Sequence, residues 1–175
     1  MLDVRELGRR PGTMRKVHRE IEAPADLGTA VFGIPEGTAM ELDLRLEAVM
    51  EGVLVSGTIR GGATGECVRC LDGAEQPLVT DFQELYVYPG RAPAGELDED
   101  LRELQDELID LEPALRDTVV LALPFQPVCR PDCPGLCSEC GARLADHPDH
   151  QHDSADPRWA ALQGLTQVLH DEKEN

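Results

Sequence analysis

Aromatic residues are scarce in this 175-residue chain, at 3%, with one Trp, two Tyr and three Phe. Its core must therefore be built from Leu, Val, Ile and Ala, and a chain of this length can bury such a core without disulfides. Cations are also short. Lys and Arg total 16 against 34 Asp and Glu, for a formal net charge of -18. A surface this acidic disfavours indiscriminate adhesion to nucleic acid, because phosphate attraction needs a positive face. Long apolar runs are missing as well. The longest, Thr118 to Phe125, is far too short to span a bilayer. The opening MLDVRELGRRPG lacks the apolar segment of an export signal. A cytoplasmic location with no membrane partner is expected. Absent too are a P-loop, a GxGxxG and a GxSxG, and no internal repeat is visible. No small-molecule substrate and no catalytic residue are expected.

What cations there are lie unevenly. In residues 1–20, Arg5, Arg9, Arg10, Arg15, Lys16 and Arg19 outnumber Asp3, Glu6 and Glu20, so the remainder is more acidic than the whole. This segment reads as a basic arm, either solvated or in contact with RNA. Residues 96–112 hold nine acids and one Arg. They read as a solvated connector, or as a docking surface for a basic partner.

The expected architecture is an α+β fold, an antiparallel β-sheet with two helices and a Cys/His-rich zinc-binding segment. A first strand is predicted at 15–23. Glu41–Met50 is a stronger one, with Leu42, Leu44, Leu46 and Ala48 alternating with polar residues at the period of a half-buried strand. Glu51-Gly52 reads as a hairpin turn into a strand at 53–59. Gly61-Gly62 reads as the next turn, with a third strand at 63–67. A long strand is predicted at 75–88. A helix is predicted at 112–123, with Pro113 in its first turn, Leu115, Val119 and Leu123 on one face, and Pro124 ending it. A second amphipathic helix is predicted at 157–170, with Trp159, Leu162, Leu165 and Leu169 as its stripe. Residues 1–125 are expected to form the sheet-plus-helix core and 126–175 the Cys/His-rich segment and final helix, within one continuous domain.

The six cysteines are grouped. Cys67-Val-Arg-Cys70 is C-x2-C, and Cys129, Cys133, Cys137 and Cys140 form C-x3-C-x3-C-x2-C. Paired thiolates at this spacing can share one tetrahedral ion, and Gly141 permits the tight turn after the second knuckle. In a reducing compartment such pairs bind metal or do redox work more often than they form structural disulfides. His147, His150 and His152 follow closely. Six cysteines with His150 and His152 make eight ligands, enough for two tetrahedral sites. The favoured partition joins Cys67 and Cys70 to Cys129 and Cys133, and Cys137 and Cys140 to His150 and His152. A rival partition joins Cys67 and Cys70 to Cys137 and Cys140 in a single site. Thiolate with imidazole favours zinc over Mg, Ca or Mn, and no iron–sulfur cluster run is present. Four-ligand sets of this kind are closed, whereas catalytic zinc keeps an open position. The His-x-Glu and Pro-Cys-x-x-Cys of a zinc deaminase are absent.

Taken in order, Cys67-Val-Arg-Cys70-Leu71, an acid-rich stretch, Leu121-Ala-Leu-Pro124, Cys129-Arg-Pro-Asp-Cys-Pro-Gly-Leu-Cys-Ser-Glu-Cys-Gly141 and Asp156-Pro-Arg-Trp159 resemble the YceD family, the large ribosomal RNA subunit accumulation proteins. The resemblance covers roughly residues 15–170. It implies a noncatalytic role in accumulation of large-subunit rRNA and ribosome assembly. The implied partner is large-subunit rRNA or its precursor, or a basic ribosomal protein. RNA contact would fall to Arg69 and to Arg9, Arg10, Arg15, Lys16 and Arg19. A zinc- or redox-responsive regulator is the alternative, and a zinc-dependent hydrolase or nuclease a more distant one.

Overall fold

The computed structural model describes residues 1–91 and 101–152. The chain divides into two compact units, Met1–Cys133 and Pro134–Asn175. Among the described residues, the first unit holds every regular element: β1 (Leu2–Asp3), a short 3-10 turn (Arg5–Leu7), β2 (Met14–Glu22), β3 (Leu27–Gly28), β4 (Phe32–Ile34), β5 (Ala39–Ala48), β6 (Gly52–Glu66), β7 (Gly73–Val87), β8 (Arg102–Glu103), β9 (Leu108–Ile109) and α1 (Glu112–Ala122). The balance of an α+β fold with two helices is therefore corrected. The described residues are dominated by a mostly antiparallel seven-stranded sheet, with a single α-helix among them. The second expected helix, 157–170, lies outside the described residues.

Alternation builds this sheet. Along β5, Met40, Leu42, Leu44, Leu46 and Ala48 are buried while Glu41, Asp43 and Arg45 face solvent. Each large buried side chain contributes about 1.5–3 kcal/mol relative to exposure. β2 pairs with β5 along its whole length, from Met14↔Glu47 to Glu22↔Ala39. β6 is the spine. One of its edges pairs with β7 from Gly52↔Val87 to Glu66↔Gly73. The other edge serves β5 from Val53 to Arg60 and then β4 at Thr64 and Gly65.

The turn expected at Gly61-Gly62 does not exist, because β6 runs through it unbroken for 15 residues. Glycine in β6 serves close approach rather than turning. A Cβ on Gly65 would stand 2.1 Å from the Val31 carbonyl oxygen, and one on Gly57 would press on Leu44 and Phe82. The chain reverses only after Glu66, so the tip of this long hairpin is Cys67-Val-Arg-Cys-Leu-Asp72.

The acid-rich stretch also contributes to the fold where it is described. Leu104, Ile109 and Leu111 are buried, and Arg102 reaches both Glu84 and Asp117. Asp110 accepts the Glu112 backbone N–H at the start of α1. Helix α1 follows with Pro in its first turn, burying Leu115 and Val119. It packs against β7 and β3 and delivers the chain through Pro124 toward Cys129. At the amino end, Leu2, Val4 and Leu7 are buried and β1 pairs with β9. No helix among the described residues is long and apolar enough to cross a membrane.

Candidate metal centres

The hairpin tip is shaped by its own backbone. Cys67 N–H donates to the Asp72 carbonyl at 2.7 Å and Leu71 N–H to the Cys67 carbonyl at 2.9 Å. Leu71 closes the loop in the left-handed region, at φ 62°. This turn sets Cys67 and Cys70 on one side. The segment leaving α1 brings Cys129 and Cys133 against them, and the ligand atoms of all four lie within 4.8 Å of one another. Cys67 Sγ and Cys133 Sγ are 3.8 Å apart, and Cys70 Sγ and Cys129 Sγ 3.7 Å. Sulfurs held at about 2.3 Å from a tetrahedral zinc lie about 3.8 Å from each other, so the donor set fits that ion. A disulfide would need about 2.05 Å, and all six cysteines are free.

Ionisation within this tetrad is uneven. Burial opposes a charge on Cys67, but backbone N–H groups of Cys129, Cys70 and Arg69 outweigh it and bring the thiol down to about 6. Cys70 receives the Asp72 N–H, yet burial and the crowding thiols of Cys67, Cys133 and Cys129 push it up to about 12. Burial, with Cys133 beside it, raises Cys129 as well. Four sulfurs so close cannot all carry charge by themselves. A dication is what lets them do so.

The second unit holds the other tetrad. Cys137, Cys140, His150 and His152 place their ligand atoms within 4.8 Å of one another. Its knuckle repeats the backbone of the first: Cys137 N–H donates to Ala142 at 2.8 Å, Gly141 N–H to Cys137 at 2.9 Å, and Gly141 takes φ 72°. Cys140 Sγ is 3.2 Å from Nε2 of both His150 and His152, and the two Nε2 atoms are 2.8 Å apart. This is tighter than the roughly 3.3–3.5 Å edges of a zinc site with two imidazoles. The Cys140 and Glu139 N–H groups lower Cys137 to about 6 against the effect of burial. Glu139, which the sequence reading had passed over, stands 3.5 Å from Nδ1 of His152, as a carboxylate that fixes the ring with Nε2 toward a metal would. Its signal in the sequence was only its place inside the knuckle. His147 is not part of the tetrad.

A family model described as "Large ribosomal RNA subunit accumulation protein YceD" matches residues 55–166, a span that includes all eight of these residues. The chain belongs to the YceD family. An uncharacterized protein of Mycobacterium tuberculosis is 47% identical over 162 residues, covering 92% of this chain and 78% of the relative. One of Mycobacterium leprae is 41% identical over 163 residues, covering 93% and 75%. No solved structure matches.

Of the cations expected to meet RNA in this YceD-family chain, Arg15, Lys16 and Arg19 lie on β2. Arg9 forms an ion pair with Glu107 and stacks over Tyr88 with its guanidinium carbon 4.8 Å from the ring centroid. Arg15 pairs with Glu6 at 3.0 Å. Arg69 is exposed, with its Nη1 donating to the Cys133 carbonyl at 3.0 Å. Arg10, Lys16 and Arg19 are exposed. Lys16 lines a groove of about 670 Å³ on the sheet's solvent face together with His18, Asp43, Arg45, Thr58 and Asp81. There Asp43 is held below its usual range by hydrogen bonds from His18 and Arg60.

Proposed function

We propose that this chain is a noncatalytic zinc-binding factor that supports accumulation of large-subunit rRNA during ribosome assembly. The observation that carries the zinc reading is the completeness of both tetrads, each with four protein ligand atoms within 4.8 Å of one another. Zinc bound by four protein ligands has no position left for water or substrate, so its part is to hold the fold. The family description supplies the link to large-subunit rRNA.

Charge favours a basic ribosomal protein as the direct contact. With a net charge of -18, the chain attracts a cationic tail and repels a phosphate backbone outside local basic spots. Arg9, Arg15 and Arg69 are already engaged within the protein. Direct RNA contact through Arg10, Lys16 and Arg19 is the rival.

Depletion of the protein tests the reading, with large-subunit rRNA quantified and gradient fractions probed for the tagged chain. Expected are a fall in that rRNA relative to the small-subunit species, and co-sedimentation with precursor large subunits. Unchanged rRNA on depletion would sink the assembly role. Metal analysis of protein purified without chelators should give two zinc ions per chain. A turnover assay of the zinc-loaded protein on rRNA precursors should show no cleavage.

A further inference from the structure

We infer that Arg69 is a positioning residue of the first metal centre: it clasps the Cys129–Cys133 loop against the hairpin tip before any metal binds. The inference rests on the zinc reading for its metal-binding consequence, but the clasp itself is made of protein atoms alone.

Arg69 touches both halves of the site. Its backbone N–H points at Cys67 Sγ, 3.4 Å away, on the hairpin side. Its guanidinium crosses to the other side, where Nη1 lies 3.0 Å from the Cys133 carbonyl oxygen and 3.4 Å from that of Pro131. The two segments it joins are far apart in the chain, Cys133 lying 66 positions after Cys67. Two further hydrogen bonds run the same way. Val68 N–H donates to the Pro127 carbonyl at 2.9 Å, and Gln76 Nε2 to the Val128 carbonyl at 3.2 Å. The loop is thus held at Pro127, Val128 and Cys133 without using a single sulfur.

The electrostatics point the same way. Four mutually repelling thiolates are costly to gather, and a guanidinium on the adjoining carbonyl places positive charge beside them without competing for a ligand position. A hydrogen bond from a charged donor is also stronger than the neutral bonds next to it. At the second tetrad Glu139 faces a ligand ring.

Arg69→Met, Arg69→Lys and wild type are compared by zinc competition titration of both sites, and by hydrogen exchange on chelated protein. Outer-shell partners of metal ligands typically change affinity by about 10–100-fold. Arg69→Met is expected to weaken the first site within that range and leave the second within twofold. Arg69→Lys, which keeps a cationic donor, should recover part of the loss. In chelated protein, Arg69→Met should speed exchange at the Val68 amide, whose acceptor is in the clasped loop, while amides of β5 stay protected as evidence that the sheet is folded. Unchanged affinity at the first site, or equal loss at both, would overturn the inference. So would an unaltered Val68 amide, or loss of rRNA binding by Arg69→Met with both sites fully loaded, which would make Arg69 an RNA contact. A wild-type protein that takes up no zinc defeats the zinc reading instead, and the Val68 exchange still decides the clasp.

Discussion

The two knuckles have the same backbone and opposite settings. In each, the first cysteine's N–H is bonded five residues on, the residue after the second cysteine returns a hydrogen bond at 2.9 Å, and that residue adopts left-handed geometry. Cys67–Leu71 sits at the end of two 15-residue strands, with Cys67, Cys70 and Cys133 buried. Cys137–Gly141 draws its remaining ligands from ten and twelve residues downstream of Cys140, in a unit with no helix or extended strand among its described residues and with Cys140 exposed. The difference teaches that one local motif can do two jobs. A metal shared by distant segments closes a large loop and ties a core together. A metal shared by neighbours would order a segment that has no helix or extended strand among its described residues.

The sharpest way to break this comparison is to remove one ligand from each side. Cys67→Ser should cost the first unit more than about 4 kcal/mol, as loss of a structural metal does, seen as a large drop in its calorimetric melting transition. Cys140→Ser should leave that transition within about 0.5 kcal/mol, as a change outside the first unit's packing does, while collapsing the dispersed NMR signals of residues 136–152. Equal losses from the two variants would remove the distinction. Next in size is the order of metal release. Against a chromophoric chelator, one zinc per chain should leave quickly and the other slowly, and His152→Ala should accelerate only the fast phase.

A pH titration of chelated protein sharpens the first site further. Cys67 has a folded pKa of about 6 against the ordinary thiol value of 9.0. The stability it contributes is therefore fully present above pH 9 and is lost as pH falls through about 6. Unfolding midpoints should rise between pH 6 and 8, and Cys67→Ala should flatten that rise. Cys70 is raised and stays protonated throughout this window, so it does not oppose the trend. The smallest effect concerns the left-handed residue of each knuckle. An L-residue there costs about 1 kcal/mol more than glycine. Leu71→Gly should accordingly stabilise the first unit by about that amount, and Gly141→Leu should weaken zinc binding at the second site about fivefold. Opposite signs would show that Leu71 is kept for contacts of its own side chain.

Some elements were legible because their signal is local. Leu42, Leu44, Leu46 and Ala48 alternate, and Leu115, Val119 and Leu123 recur at helical spacing, so β5 and α1 follow from periodicity alone. Gly61-Gly62 misled because glycine marks turns in sequence, whereas here β6 continues through both residues, in register with Leu78 and Pro77 of β7. In sequence Arg69 is only a cation near the knuckle, because the Cys133 carbonyl that accepts its hydrogen bond lies 64 residues away in the chain.

By itself, the sequence determined that the cysteines form knuckles, because C-x2-C spacing and a tight turn are properties of a few consecutive residues. It left two ligand partitions open. The tertiary structure brought Cys67 and Cys70 to Cys129 and Cys133, because the length of the β6–β7 hairpin and the exit from α1 decide where those segments meet. That meeting point depends on strand register and helix packing across some sixty residues, and no local spacing encodes it.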